Sequence, residues 1–177
     1  MEGARGVDAM SSLRLIDLPT FWTVLLDIAA WFVIHMGVVA FMVSLPVDRF
    51  DPRSRFFRPR AWEQQGRLYE RLFRIRAWKD MLPDGADILR WRSFRKKNFE
   101  NTTMDYLERF TRETCRAEAT HFATMVWAPF FFLWNPVWVG WLMIVYAVGE
   151  NLPLILAQRY NRIRLGRVLA RSQKRRS

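Results

Sequence analysis

From Phe21 to Leu45 the chain runs about 25 residues without a lysine or arginine, and nearly every side chain is apolar. A helix of that length crosses a hydrocarbon layer of roughly 30 Å, which ties the chain to a membrane. Ala119 to Ala157 forms a second apolar stretch, interrupted by Trp134-Asn135-Pro136. Two spans joined by a tight turn fit it, because proline is tolerated at a helix start and Trp134 and Trp138 suit a membrane interface. The expected fold is an all-α integral membrane protein with about three transmembrane helices, at residues 21–45, 117–134 and 137–158, the last two forming a hairpin. A cleaved signal peptide would have a shorter core and a basic lead-in, whereas Arg5 and Arg14 are offset by Glu2, Asp8 and Asp17. The first segment therefore reads as a retained anchor.

Charge sets the orientation. Hydrophobic residues make up 51% of the 177 residues and aromatics 15%, yet the net charge is +11. Of 28 lysines and arginines, 18 lie between Arg49 and Arg116, eight in the acid-free tail from Arg159, and two before Phe21. The positive-inside rule places residues 46–116 and the basic tail 159–177 in the cytoplasm, with the N-terminus and the Asn135 turn outside. A basic chain also raises nucleic acid as a partner. Arginines beside spans are better explained by anionic lipid, and no nucleic-acid motif is present, so the bilayer is the expected partner. The single Cys115 excludes an internal disulfide and a Cys-rich zinc site.

Residues 46–116 are too few and too arginine-rich for an independent core. Phe56, Phe57, Trp62, Leu68, Leu72, Phe73 and Ile75 alternate with arginines, and Leu68, Leu72 and Ile75 keep helical spacing. This pattern predicts basic amphipathic helices lying in the headgroup layer on the cytoplasmic side. Pro83-Asp84-Gly85 is a turn signal. Thr102-Thr103 followed by Asp105 reads as a helix start leading into the second span.

The chemistry-bearing residues gather near the span boundaries. Glu118 and His121, three residues apart, share a helix face, and a carboxylate there can orient an imidazole and raise its basicity. The same pair could equally hold helices together. Arg116 could neutralise Glu118 or hold an anionic group of a substrate. As a di-iron metal site, Glu-x-x-His would be needed from two helices together with two further carboxylates; the chain has one such motif and His35 sits well inside the first span, so no metal is expected. Glu150 and Asn151 should face the bundle, and Pro153 should kink the third span. Arg159, Tyr160, Asn161 and Arg162 read either as a polar cap or as an electropositive wall facing the base. Asp27 and His35 in the first span read as structural.

The order Arg76-Ala77-Trp78-Lys79, Asp84-Gly85, Arg116-Ala117-Glu118 with His121, Asn151-Leu152-Pro153, and Gln158-Arg159-Tyr160-Asn161-Arg162 with Arg164-Leu165 resembles the glycosyl-4,4'-diaponeurosporenoate acyltransferase family of staphyloxanthin biosynthesis. The resemblance runs from about Trp62 to Leu165. It implies a multi-pass enzyme of the bacterial cytoplasmic membrane that esterifies a sugar hydroxyl of a carotenoid glycoside or glycolipid. The functional set it implies is Trp78, Lys79, Asp84, Arg116, Glu118, His121, Asn151, Arg159, Tyr160, Asn161 and Arg162. The chain departs from the family in a more basic, aromatic stretch from Ile88 to Asn101 and in the acid Glu150. The expected mechanism has His121, oriented by Glu118, as general base, with Arg159 and Asn161 stabilising the oxyanion. No cofactor is expected; acyl-CoA or acyl-carrier protein would be the co-substrate. A non-enzymatic scaffold of a lipid-pathway complex and a metal-dependent lipid enzyme are the alternatives.

Overall fold

The computed structural model describes residues 14–81 and 104–176, and the described residues form helices joined by turns, with no strand among them. The helices are α1 (Thr20–Ser44), α2 (Arg67–Phe73), α3 (Ile75–Trp78), α4 (Met104–Met125) and α5 (Val137–Arg176), with short 3-10 turns between them. Two compact units divide the chain: Met1–Leu45 with Ala119–Pro153, and Pro46–Glu118 with Leu154–Ser177.

The first unit contains α1, the end of α4, a 3-10 turn at Ala128–Leu133 and the first part of α5. Two candidate spans, Thr20–Ser44 and Val137–Ala170, are long and apolar enough to cross a membrane. Phe21, Phe32, Val33 and Phe41 on α1 are exposed, as an apolar helix facing lipid requires. Trp31 turns inward, stacking on Phe131 at 4.7 Å and donating from Nε1 to Met143 Sδ at 3.4 Å. Residues 117–134 do not form the single helix expected from hydropathy. The α-helix stops at Met125, four residues ahead of Pro129, which has no N–H to donate to the Met125 carbonyl, and the chain continues as the 3-10 turn. Pro153 lies inside α5, which runs on unbroken through the basic residues to Arg176.

Asp27 ties this unit together. Buried on α1, its Oδ1 accepts from Trp134 Nε1 and Asn135 Nδ2, both at 2.7 Å, and so holds the turn before α5. The segment ahead of α1 reaches the same turn, with Leu15 N–H donating to the Leu133 carbonyl at 2.7 Å.

The second unit completes a core that residues 46–116 lack alone. Tyr69 and Ile75 pack with Tyr160 and Ile163 of α5, with Trp78 and Leu156 around them. The expected surface helix through Leu68, Leu72 and Ile75 is broken at Arg74, which adopts φ 46° and donates its N–H to the Tyr69 carbonyl as a left-handed helix end. The break separates the apolar positions: Ile75 is fully buried, while Leu72 is 66% exposed.

Replacing Asp27 with alanine leaves Trp134 Nε1 and Asn135 Nδ2 without their acceptor, and should cost about 2 kcal/mol. In detergent this should lower the thermal midpoint by roughly 4–8 °C. Asp27→Asn keeps one acceptor oxygen and should lose less. Equal midpoints for wild type and Asp27→Ala would contradict this role.

Candidate active site

Two polar constellations stand out, one in each unit. In the first unit, His121 of α4 lies against Asn151 of α5, with Nδ1 and Asn151 Oδ1 3.0 Å apart. Which atom carries the proton follows from the next contact. Asn151 Nδ2 donates to the Ala147 carbonyl at 2.9 Å, so its oxygen is the atom turned to the ring. An oxygen accepts, so the proton sits on Nδ1, and Nε2 keeps the basic lone pair. Asn151 is 2% exposed, which holds the amide in place.

His35 in the same unit is held differently. Its Nδ1 lies 2.8 Å from the Trp31 carbonyl and its Nε2 3.3 Å from Glu150 Oε1, so both ring nitrogens face acceptors. Glu150 of α5 is thus the ion-pair partner of His35. Of the two histidines, His121 is the one with a ring nitrogen that meets neither a backbone nor a side-chain partner among the described residues.

In the second unit the polar residues form a buried ion cluster. Glu63 and Glu118 are both fully buried. Arg159 donates from Nε to Glu63 Oε1 at 2.5 Å and from Nη1 to Glu118 Oε1 at 2.9 Å. The other Glu118 oxygen pairs with Arg162, itself 2% exposed, which also donates from Nε to the Phe57 carbonyl at 3.1 Å. The Phe57 ring lies 5.5 Å beneath that guanidinium. Glu63 further accepts from Tyr69 Oη at 2.5 Å and from the Arg60 N–H. Burial alone would raise the Glu63 carboxyl, but hydrogen bonds from Arg159, Tyr69 and Arg60 outweigh it and hold the group below the usual glutamate range.

A second knot joins Tyr160 Oη to Glu70 Oε1 at 2.6 Å, with Arg76 donating from Nε to Tyr160 Oη at 3.0 Å and from Nη2 to Glu70 at 2.7 Å. Burial pushes the Cys115 thiol up to about 11, which leaves it protonated and unsuited to nucleophilic attack near neutral pH.

The expected site residues therefore fall into sets. The structure brings Glu118 together with Arg159 and Arg162, and His121 together with Asn151. Glu118, expected to orient His121, has both carboxylate oxygens on arginines, and the bond to His121 Nδ1 comes from Asn151. Tyr160 is buried in the core, where Trp78 packs against it and Trp78 Nε1 donates to the Phe73 carbonyl at 2.7 Å. Arg116 pairs with Glu113 at 2.5 Å, and Lys79 and Asn161 are half-buried. Asp84 lies outside the described residues. Glu63 was not foreseen; its only sequence signal is an acid three residues after a chain entering a helical turn, able to reach back to the backbone N–H of Arg60.

A family model described as glycosyl-4,4'-diaponeurosporenoate acyltransferase matches residues 52–171. A relative of that name from Staphylococcus haemolyticus (strain JCSC1435) is 31% identical over 141 residues, covering 80% of this chain and 81% of its own. Another, from Staphylococcus aureus (strain MRSA252), is 29% identical over 139 residues, covering 78% and 83%. No solved structure matches the chain.

The ion cluster makes a prediction with a definite sign. Because the Glu63 carboxyl is held below its ordinary value, its contribution to stability is complete above about pH 4.3 and is lost as pH falls below that. Glu63→Gln should cost about 3 kcal/mol near neutral pH by leaving buried arginine charge undercompensated. It should also flatten the acid limb of a plot of thermal midpoint against pH. An acid limb unchanged by the substitution would show that Glu63 does not carry this linkage.

Proposed function

Because this chain belongs to the glycosyl-4,4'-diaponeurosporenoate acyltransferase family, we propose that it moves a fatty acyl group from a thioester donor to a sugar hydroxyl of a carotenoid glycoside or related glycolipid, with His121 as general base. The observation carrying this role is the chain of hydrogen bonds from Ala147 through Asn151 to His121, which leaves Nε2 as the basic atom. In the reaction, Nε2 removes the proton of the acceptor hydroxyl as that oxygen attacks the thioester carbonyl. The tetrahedral intermediate collapses with cleavage of the carbon–sulfur bond, and the imidazolium returns the proton to the departing thiolate. Asn151 takes the positioning part in this scheme, while Glu118 with Arg159 and Arg162 hold the second unit in shape. Trp78, Lys79, Asp84, Arg116 and Asn161 are the substrate-contacting residues that the family resemblance supports. The enzyme is read as spanning a bacterial cytoplasmic membrane with its C-terminus inside, which gives it access to cytoplasmic acyl donors.

Intact-lipid mass spectrometry of cells making the acceptor tests this reading. A glycoside gaining a fatty-acyl mass should appear with wild type and fall about 100-fold or more with equally abundant His121→Ala. Asn151→Leu should fall at least about tenfold, because the ring loses the partner that fixes its tautomer, and Asn151→Asp should retain more activity than Asn151→Leu. Full acylation by His121→Ala would remove it from the chemistry.

A further inference from the structure

The second unit also contains a cleft of about 670 Å³, walled by the loop ahead of α2 and by the later turns of α5. Its charged lining consists of Arg60, Arg67 and Arg167, with no acidic side chain. None of the three takes part in an ion pair among the described residues. Glu70 lies within the field of Arg167, but its carboxylate already receives Tyr160 and Arg76.

The loop is built in a costly shape. Gln64 (φ 49°), Gln65 (φ 56°) and Gly66 (φ 93°) follow one another in the left-handed region. Two consecutive glutamines hold that conformation only where their surroundings over-determine it. Here Glu63, immediately before them, is locked by Tyr69 and Arg159, and Gly66, immediately after, lies against Tyr160, whose ring would be 3.4 Å from an added Cβ. The glutamines themselves are exposed, so no packing of their side chains accounts for the turn. What it achieves is to place both amides on the wall of an arginine-lined cleft.

We infer that this cleft binds the phosphorylated nucleotide of a coenzyme A thioester, and so selects the acyl donor of the reaction proposed above; the identity of the donor, though not the binding, rests on that reading. Guanidinium forks match phosphate oxygens, and three of them suit a head that carries a diphosphate and a phosphomonoester. The volume lies in the range of small-molecule sites. A phospholipid headgroup brings one phosphodiester and leaves most of that charge unmatched.

Gly166 provides a clean test. It lines the α5 wall, and a Cβ added there meets nothing within 4 Å, so a side chain can be started from the cleft wall in open space. Full-length protein in zwitterionic nanodiscs is titrated with free coenzyme A and with 3'-dephospho-coenzyme A. Coenzyme A should bind, and the dephospho form should bind at least about tenfold more weakly. Gly166→Leu and Arg167→Gln should each weaken coenzyme A binding by a similar factor, with the thermal midpoint of Gly166→Leu not lowered, since leucine is the better helix former. Adding phosphatidylglycerol to the nanodiscs should leave the affinity unaltered. The proposal is overturned by equal affinity of wild type and Gly166→Leu, by no binding of coenzyme A, or by its displacement by phosphatidylglycerol, which would make the cleft a lipid headgroup site. The titration needs neither acceptor nor turnover. Coenzyme A binding without lipid acylation would sink the acyl-transfer reading alone, whereas acylation from acyl-carrier protein without coenzyme A binding would sink the cleft proposal alone.

Discussion

Burying a carboxylate is tolerable only when its charge is met, and the second unit is arranged around meeting two of them. Glu63 and Glu118 are fully buried, and Arg159 bridges them while Arg162 closes the other side of Glu118. The cluster joins the loop ahead of α2, residue 118 of α4 and the 159–162 turn of α5. Once Arg159 is fixed, Tyr160 beside it must enter the core against Tyr69 and Ile75, which brings its hydroxyl to Glu70. Once Glu63 is fixed, the chain has three residues in which to reach Gly66, and it does so through the left-handed glutamines. Both the small apolar core and the shape of the neighbouring cleft follow from one set of charges.

How much of this was legible in the sequence depends on the range of the interaction. Apolar runs are a local property, and the helices at Thr20–Ser44 and Val137–Arg176 could be anticipated from them. Motif spacing likewise pointed to Glu118, His121, Asn151, Arg159 and Arg162 as residues with polar work to do. Their partners could not be read in the same way. Glu118 lies one turn from His121 along the helix, but its oxygens meet arginines about 40 positions away, and no periodicity encodes that choice. Glu63 was invisible because a single acid among arginines looks like a solvated residue until its burial is known. The left-handed backbone at Gln64, Gln65 and Arg74 carries no sequence signal, since these are not the glycine or asparagine that such positions favour. Pro129 did carry a signal, and hydropathy over 117–134 masked it.

The two histidines show how the same side chain acquires different competence from its surroundings. His35 lies between the Trp31 carbonyl and Glu150, an arrangement that fixes a ring on α1 and leaves neither nitrogen to a ligand. His121 has one nitrogen fixed by an amide that is itself fixed by a backbone carbonyl. A neutral amide defines the tautomer without itself adding a charge beside the ring. In the acyl transfer proposed above, an asparagine in this place would suit a base that gives its proton back, as transfer to a thiolate leaving group requires.

The arginines divide by the same reasoning. In the Gln158–Arg162 motif the cationic residues look like an anion-binding wall, yet Arg159 and Arg162 are neutralised by Glu63 and Glu118. A guanidinium whose charge is already met by a buried carboxylate has little field left for a ligand, and drawing it to a phosphate would strand the carboxylate. Anion recognition must then come from cations outside the cluster. Arg60, Arg67 and Arg167 meet that condition, because their charges converge on one concave surface without an acid among its lining residues. In the proposed donor site the motif arginines would act on a substrate only indirectly, by holding the loop and helix that carry Arg60, Arg67 and Arg167. A substitution at Arg159 would therefore reach anion binding through the shape of the cleft, before any direct contact is involved.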